Sequence, residues 1–258
     1  MIYVNHPESI PSEIEEEFLR YVERVPPDVI AEIKRHKIIY PNDVRIAIEK
    51  HLAPFKAEML YHDLLLLFEE TEICCFHATK ILDESQILSG GLRTNDWEHY
   101  SATLRDALHQ AKLSESTIIN ALNLVYAEYL RKGYDRQGNQ LCFFTPMQLA
   151  DGGDTVGYDQ FCQNVGGELA RWSLKGEMPN IYKALKTIGT PVIVEFALPF
   201  RMIADYQKES IVYCFVAHYS AKRFWRTNCP IEFDGTTNQN VLPSQIIHIH
   251  QWKKVDYE

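Results

Sequence analysis

No stretch of this chain is apolar for long enough to cross a bilayer; the longest run, Leu64 to Phe68, falls far short of a span. Between Met1 and Ile10 there is no basic start followed by a long apolar core, so no signal peptide is expected. Cations are in deficit, 26 Lys and Arg against 35 Asp and Glu, which leaves a formal net charge of -9. General binding to a phosphate backbone needs a basic face, so nucleic acid is not the default partner, while a local basic groove stays open. The six cysteines, at 74, 75, 142, 162, 214 and 229, form no C-x-x-C pair. Several lie in strand-like apolar runs, which suits reduced, buried thiols better than a disulfide framework. The expectation is a soluble, cytoplasmic protein with no membrane partner.

What the chain does have is 258 residues with 46% apolar content, enough to bury a sizeable core in one large domain, or a domain with a helical extension. From Ser12 to about Thr71 the pattern is helical. Ser12 and Glu15 stand in capping-box spacing, and Ile14, Phe18, Leu19 and Val22 build an apolar face. Pro26-Pro27-Asp28, Tyr40-Pro41-Asn42-Asp43 and Pro54 punctuate it. Leu64 to Phe68, apolar on all sides, suggests a helix buried all round. The acidic run at Glu13, Glu15, Glu16 and Glu17 reads as a solvated face near a helix N-terminus.

Cys74-Cys75-Phe76-His77-Ala78-Thr79-Lys80 is the stretch the rest is organised around. It reads as a strand, Ile73 to Phe76, ending on a polar His-Ala-Thr, then a helix from Asp83 to Ser89, then the break Gly90-Gly91-Leu92-Arg93. Asp83 or Ser85 supplies a cap and the glycines a left-handed exit. At these residues the chain resembles the ADP-ribosyltransferase superfamily, whose first motif is an apolar or aromatic residue, His-Gly-Thr or His-Ala-Thr, and a helix ending in Gly-Leu-Arg. The resemblance implies an NAD site in which His77 bonds a ribose hydroxyl and the backbone of Ala78 pairs with the nicotinamide amide. Thr79, Gly91, Leu92 and Arg93 complete that motif.

Residues 97–132 are rich in helix formers at three and four spacing, with a break at Ser114-Glu115-Ser116-Thr117. A strand follows from Gln140 to Thr145, then a loop with Gly152, Gly153 and Gly157, and Gly166-Gly167-Glu168 at a helix start. The family's second motif is a strand ending in Ser or Thr, followed by an aromatic that stacks on nicotinamide. Thr145 and Tyr158 match it, with Tyr158 either stacking on the nicotinamide or packing its ring under the loop. Glu168 is either a partner for a helix dipole or a carboxylate held toward the same cleft.

Residues 191–199 and 210–217 read as strands, and Pro179 to Ile188 as a short helix. Glu195 is a charge inside the first of these strands, either a catalytic carboxylate or, since alternation lets one strand face meet solvent, a surface position, which is the preferred reading. Tyr219 to Arg226 interleaves three cations with aromatics, a patch able to grip phosphates or a snorkelling surface loop. His248 and His250 share a face of the last strand at the spacing of a two-histidine metal site; with no Cys or carboxylate pattern beside them, they read as a polar face and no metal is expected.

In many ADP-ribosyltransferases a glutamate precedes Val-Leu-x-Pro and a final strand. Here Asn240 stands before Val241-Leu242-Pro243, so either Glu232 or Glu168 supplies the catalytic carboxylate, or the site works without one, or the protein is a pseudoenzyme. The expected fold is α+β: a split, mixed β-sheet core of the ADP-ribosyltransferase type over residues 72–258, with a helical region at 1–71 and a helical insertion at about 97–132. The implied activity is transfer of ADP-ribose from NAD to a protein or nucleic acid, plausible for a toxin or defence effector with a neutralising or regulatory partner protein. An NAD glycohydrolase, an RNA 2'-phosphotransferase and a non-catalytic binding protein are the rival readings.

Overall fold

Three prolines start three helices, because a residue with a fixed φ and no N–H suits the first helical turn. After α1 (Ser12–Val22) come α2 (Pro27–Lys34), α3 (Pro41–Leu52) and α4 (Pro54–Glu69), each opening on proline. The structure, a computed structural model, describes residues 1–3, 6–23, 27–35, 41–52, 54–132, 140–145, 161–226 and 233–252. The capping box is absent: the Ser12 hydroxyl donates to Glu13, and the Ile14 and Glu15 amides bond the Pro11 carbonyl.

The remaining elements are β1 (Glu72–Ile81), α5 (Glu84–Gly90), α6 (Trp97–Gln110), α7 (Glu115–Lys132), β2 (Leu141–Thr145), α8 (Gly167–Glu177), α9 (Pro179–Leu185), β3 (Thr190–Pro199), α10 (Asp205–Ser220), β4 (Phe233–Thr237) and β5 (Ile246–Gln251). The protein is α+β, with one five-stranded sheet in the order β4-β2-β1-β3-β5. Its strands run antiparallel, where the sequence reading expected a mixed sheet; the parallel pairing described is an isolated bridge from Ile2 to Ile73.

The chain divides into two compact units, 1–75 with 144–146 and 197–235, and 76–143 with 147–196 and 236–258; it passes from one to the other within β1, β2, β3 and β4. In the first unit α1, α3, α4 and α10 pack on one another. Residues 210–217, expected as a strand, lie inside α10. A short continuous apolar run fits either element, and here the buried residues Ile211, Val212, Phe215, Val216 and Tyr219 recur at helical spacing. The run in α4 is buried on one face only, with Leu64 and Phe68 inaccessible and Leu66 57% exposed.

Phe68 lies with its ring centroid 5.1 Å from Phe200 and 5.0 Å from Phe215. Phe68→Ala should therefore cost about 3–5 kcal/mol, and Phe68→Leu far less, because the cavity rather than the aromaticity carries most of the loss. Urea midpoints of the two variants test this.

In the second unit α6, α7, α8 and α9 enclose a core of Leu104, Leu108, Val125, Leu174 and Leu185, with Ala107 and Ala170 letting backbones approach. The break expected at Ser114 is present, and the Ser114 hydroxyl accepts from the Thr117 amide at 3.4 Å. No described helix is long and apolar enough to cross a membrane.

Candidate functional site

Strand β1 runs to Ile81, so His77 and Ala78 lie inside it rather than at its end. Thr79 and Ile81 are β-branched and extend the ladder where the polar His-Ala-Thr suggested a stop. The His77 ring is half-buried, and its Nδ1 lies 2.7 Å from the Cys142 carbonyl oxygen. A carbonyl can only accept, so Nδ1 carries the proton and Nε2 of the neutral ring is left as an acceptor. Burial holds the His77 imidazole below its ordinary value, against the upward pull of the Cys142 hydrogen bond.

The unfolded chain binds the proton more readily, so the stability contributed by neutral His77 is complete above the ordinary imidazole range near ~6.5 and declines as pH falls from there toward the lower folded value. Urea midpoints at pH 7.5 and 5.5 should show a larger acid loss for the native chain than for His77→Asn, whose amide can still donate to Cys142; equal losses would contradict it.

Helix α5 is held at both ends by the residues the sequence points to. Asp83 caps it, accepting from the Ser85 amide at 2.9 Å, and the Gly91 amide closes it on the Ile87 carbonyl at 2.8 Å. Gly91 has φ +72°, the left-handed region that favours glycine, and a methyl carbon there would land on the Val241 carbonyl. The next residue explains this close approach. Leu92 and Val241 exchange both backbone hydrogen bonds, at 3.0 and 2.8 Å, although they are far apart in the chain. Thr94 donates its amide to Asn240 Oδ1 at 2.9 Å, and its hydroxyl to the same oxygen at 3.3 Å. Gly-Leu-Arg and Asn-Val-Leu-Pro are thus one piece of structure. Arg93 is exposed.

Glu168 is half-buried in the first turn of α8, on the helical layer of the same unit. Gly166, at φ +85°, caps that helix, and its carbonyl accepts from the Tyr100 hydroxyl at 2.7 Å. Burial pushes the Tyr100 phenol up, so it stays a donor. Thr145 ends β2 fully buried, and its hydroxyl has no partner among the described residues. A buried hydroxyl without a bond carries an appreciable cost, which a bound polar group would relieve. Tyr158, Glu232 and the loop at 152–157 lie outside the described residues.

In the cationic stretch Lys222, Arg223 and Arg226 are all exposed. Tyr219 is buried and donates to Glu15, and Arg223 stands 3.8 Å from the same carboxylate. The described cysteines, 74, 75, 142, 162 and 214, are all free thiols. Glu195, read as a surface position, is instead paired: its Oε2 lies 2.8 Å from His250 Nε2, and its side chain is only 13% exposed. A lone charge in an otherwise apolar strand was the available signal, since such a group needs a partner on the neighbouring strand.

No family model, curated protein or solved structure matches this chain.

Proposed function

We propose that the protein is an NAD-dependent ADP-ribosyltransferase acting on a protein or nucleic acid, in keeping with a toxin or defence effector under the control of a neutralising partner. The observation that carries the reading is the Leu92–Val241 bridge. Two motif fragments matched separately to the start and the close of one family's catalytic core meet, backbone to backbone, in the same unit. The neutral His77 ring supports it chemically. With Nδ1 committed to Cys142, Nε2 is oriented to accept a hydrogen bond from a ribose hydroxyl.

In this reading NAD is the substrate and no metal takes part in the transfer. His77 and the Ala78 main chain hold the dinucleotide, Thr79 and Gly91-Leu92-Arg93 frame it, and Tyr158 completes the nicotinamide side. Breaking the nicotinamide–ribose bond builds positive charge on the sugar, which a carboxylate shielded from water stabilises. Asn240 cannot supply that charge, and its carbonyl oxygen is taken up by Thr94. Glu168 or Glu232 is therefore assigned the role.

The test is incubation with labelled NAD and cell lysate, comparing the native protein with His77→Ala, Glu168→Gln and Glu232→Gln. Transfer of label that His77→Ala and one of the glutamate variants lose supports the reading. Loss of NAD without a labelled macromolecule points to the glycohydrolase, and no turnover of any kind to a binding protein.

A further inference from the structure

Strands β3 and β5 pair antiparallel, with Glu195 opposite His248 and Ile193 opposite His250; the register then skips Ile247 and resumes at Phe196 opposite Ile246. Directly opposed residues share a face, as do residues two apart on a strand. Glu195, His248 and His250 therefore project from one face of the strand pair, next to a bulge that bends the edge strand. The two imidazoles stand 4.4 Å apart, centroid to centroid, at 63°. Glu195 Oε2 and His250 Nε2 are 2.8 Å apart, on side chains 13% and 26% exposed.

A two-residue histidine repeat on a strand is a chelate without a third arm. The tertiary structure supplies the arm from the adjacent strand. We infer that Glu195, His248 and His250 form a binding site for a divalent transition metal of the zinc class, with two imidazoles and one carboxylate as ligands and a fourth position open to water.

Donor chemistry and distance agree with this. Imidazole nitrogen and carboxylate oxygen are the ordinary zinc donors after thiolate, at about 2.0–2.2 Å, which places two ligands of a tetrahedral shell ~3.3 Å apart. Glu195 Oε2 and His250 Nε2 need to separate by about half an ångström for an ion to take the place of their hydrogen bond. Among the described residues no group of three His, Cys, Asp or Glu side chains could hold a metal ion as they stand. Two donors are in contact, and the site requires the exposed His248 side chain, on the same face, to rotate toward them. The site is independent of the proposed NAD chemistry and stands or falls separately.

Metal-free protein titrated with Zn²⁺ by calorimetry, and in parallel with Co²⁺ for its visible absorption, tests the inference. The expected result is one saturable equivalent, with the Co²⁺ bands of a four-coordinate nitrogen and oxygen site. His248→Ala and His250→Ala should abolish it. Glu195→Gln, which keeps the shape and a hydrogen-bonding partner for His250, should weaken it at least about tenfold. Circular dichroism of the metal-free variants separates lost ligands from lost fold, and Glu195→Gln is the variant least able to disturb the strands. Absence of one-to-one binding, or undiminished affinity in either histidine variant, overturns the site.

Discussion

Gly91→Ala should be among the most damaging single substitutions in the chain. Its methyl carbon would fall on the Val241 carbonyl oxygen, 3.0 Å from the carbonyl carbon and 3.1 Å from that of Leu242, and these are backbone atoms that no rotamer change can move aside. The φ of +72° adds a left-handed penalty of about 1–2 kcal/mol before any clash is counted. Relief requires the Leu92–Val241 bridge to part, which gives up two backbone hydrogen bonds at roughly 1 kcal/mol each. A total of about 3 kcal/mol or more follows, a large share of the stability of a domain this size. Gly90→Ala is the matched control. It has nothing within 4 Å of the added carbon and lies in a helix, so it should be neutral or slightly stabilising. Denaturant midpoints of the pair measure the difference directly, and comparable values for both would mean that the approach of Val241 to Gly91 is not tight. NAD-dependent labelling should fall with Gly91→Ala, because the parted bridge is the contact that joins the two halves of the proposed site.

His77→Ala should remove NAD-dependent transfer while leaving most of the fold intact. The ring is half-buried and makes its described hydrogen bond to a single carbonyl, so the stability cost is set by one bond and modest apolar contact, roughly 1–2 kcal/mol. The expected loss of transfer is far larger, since a positioning contact to the ribose acts on the geometry of the bond that breaks, where small misplacement costs about 100-fold or more in rate. His77→Asn sharpens the comparison. Its amide can keep the Cys142 bond but places nothing at Nε2, so it should fold nearly as well as the native chain and label no better than the alanine variant. Transfer at native rate in His77→Asn would show that Nε2 does not touch the substrate.

Helix α5 and its surroundings were legible because their determinants are local. Asp83 as a cap, Gly91 as an exit and Pro27 as a helix start all act within a few residues of chain, and each stands where the sequence placed it, whereas Pro54, read as an interruption before a segment from Ala57, itself opens α4. His77 was readable as a residue type but not in its setting. Whether a strand stops at residue 76 or runs to 81 depends on what pairs alongside, and that is a property of neighbours remote in sequence. The same holds for 210–217, where an apolar run equally suited to strand or helix took the helical period offered by α3 and α4.

The residues around 195 and 248 show the limit most clearly. A half-buried carboxylate in an apolar strand needs a partner, and the sequence contains both the carboxylate and the histidines, but nothing along the chain states that β3 and β5 lie side by side in this register.

By itself the sequence determined the α+β character, the punctuation of its helices and the apolar faces they bury, because capping, proline geometry and hydrophobic period are short-range. Only the tertiary structure decided that Leu92 meets Val241, that Thr94 meets Asn240 and that Glu195 meets His250. Each of those pairings joins residues 55 or more positions apart in the sequence, and chain packing over that distance, sheet register in the case of Glu195 and His250, is what local chemistry does not encode.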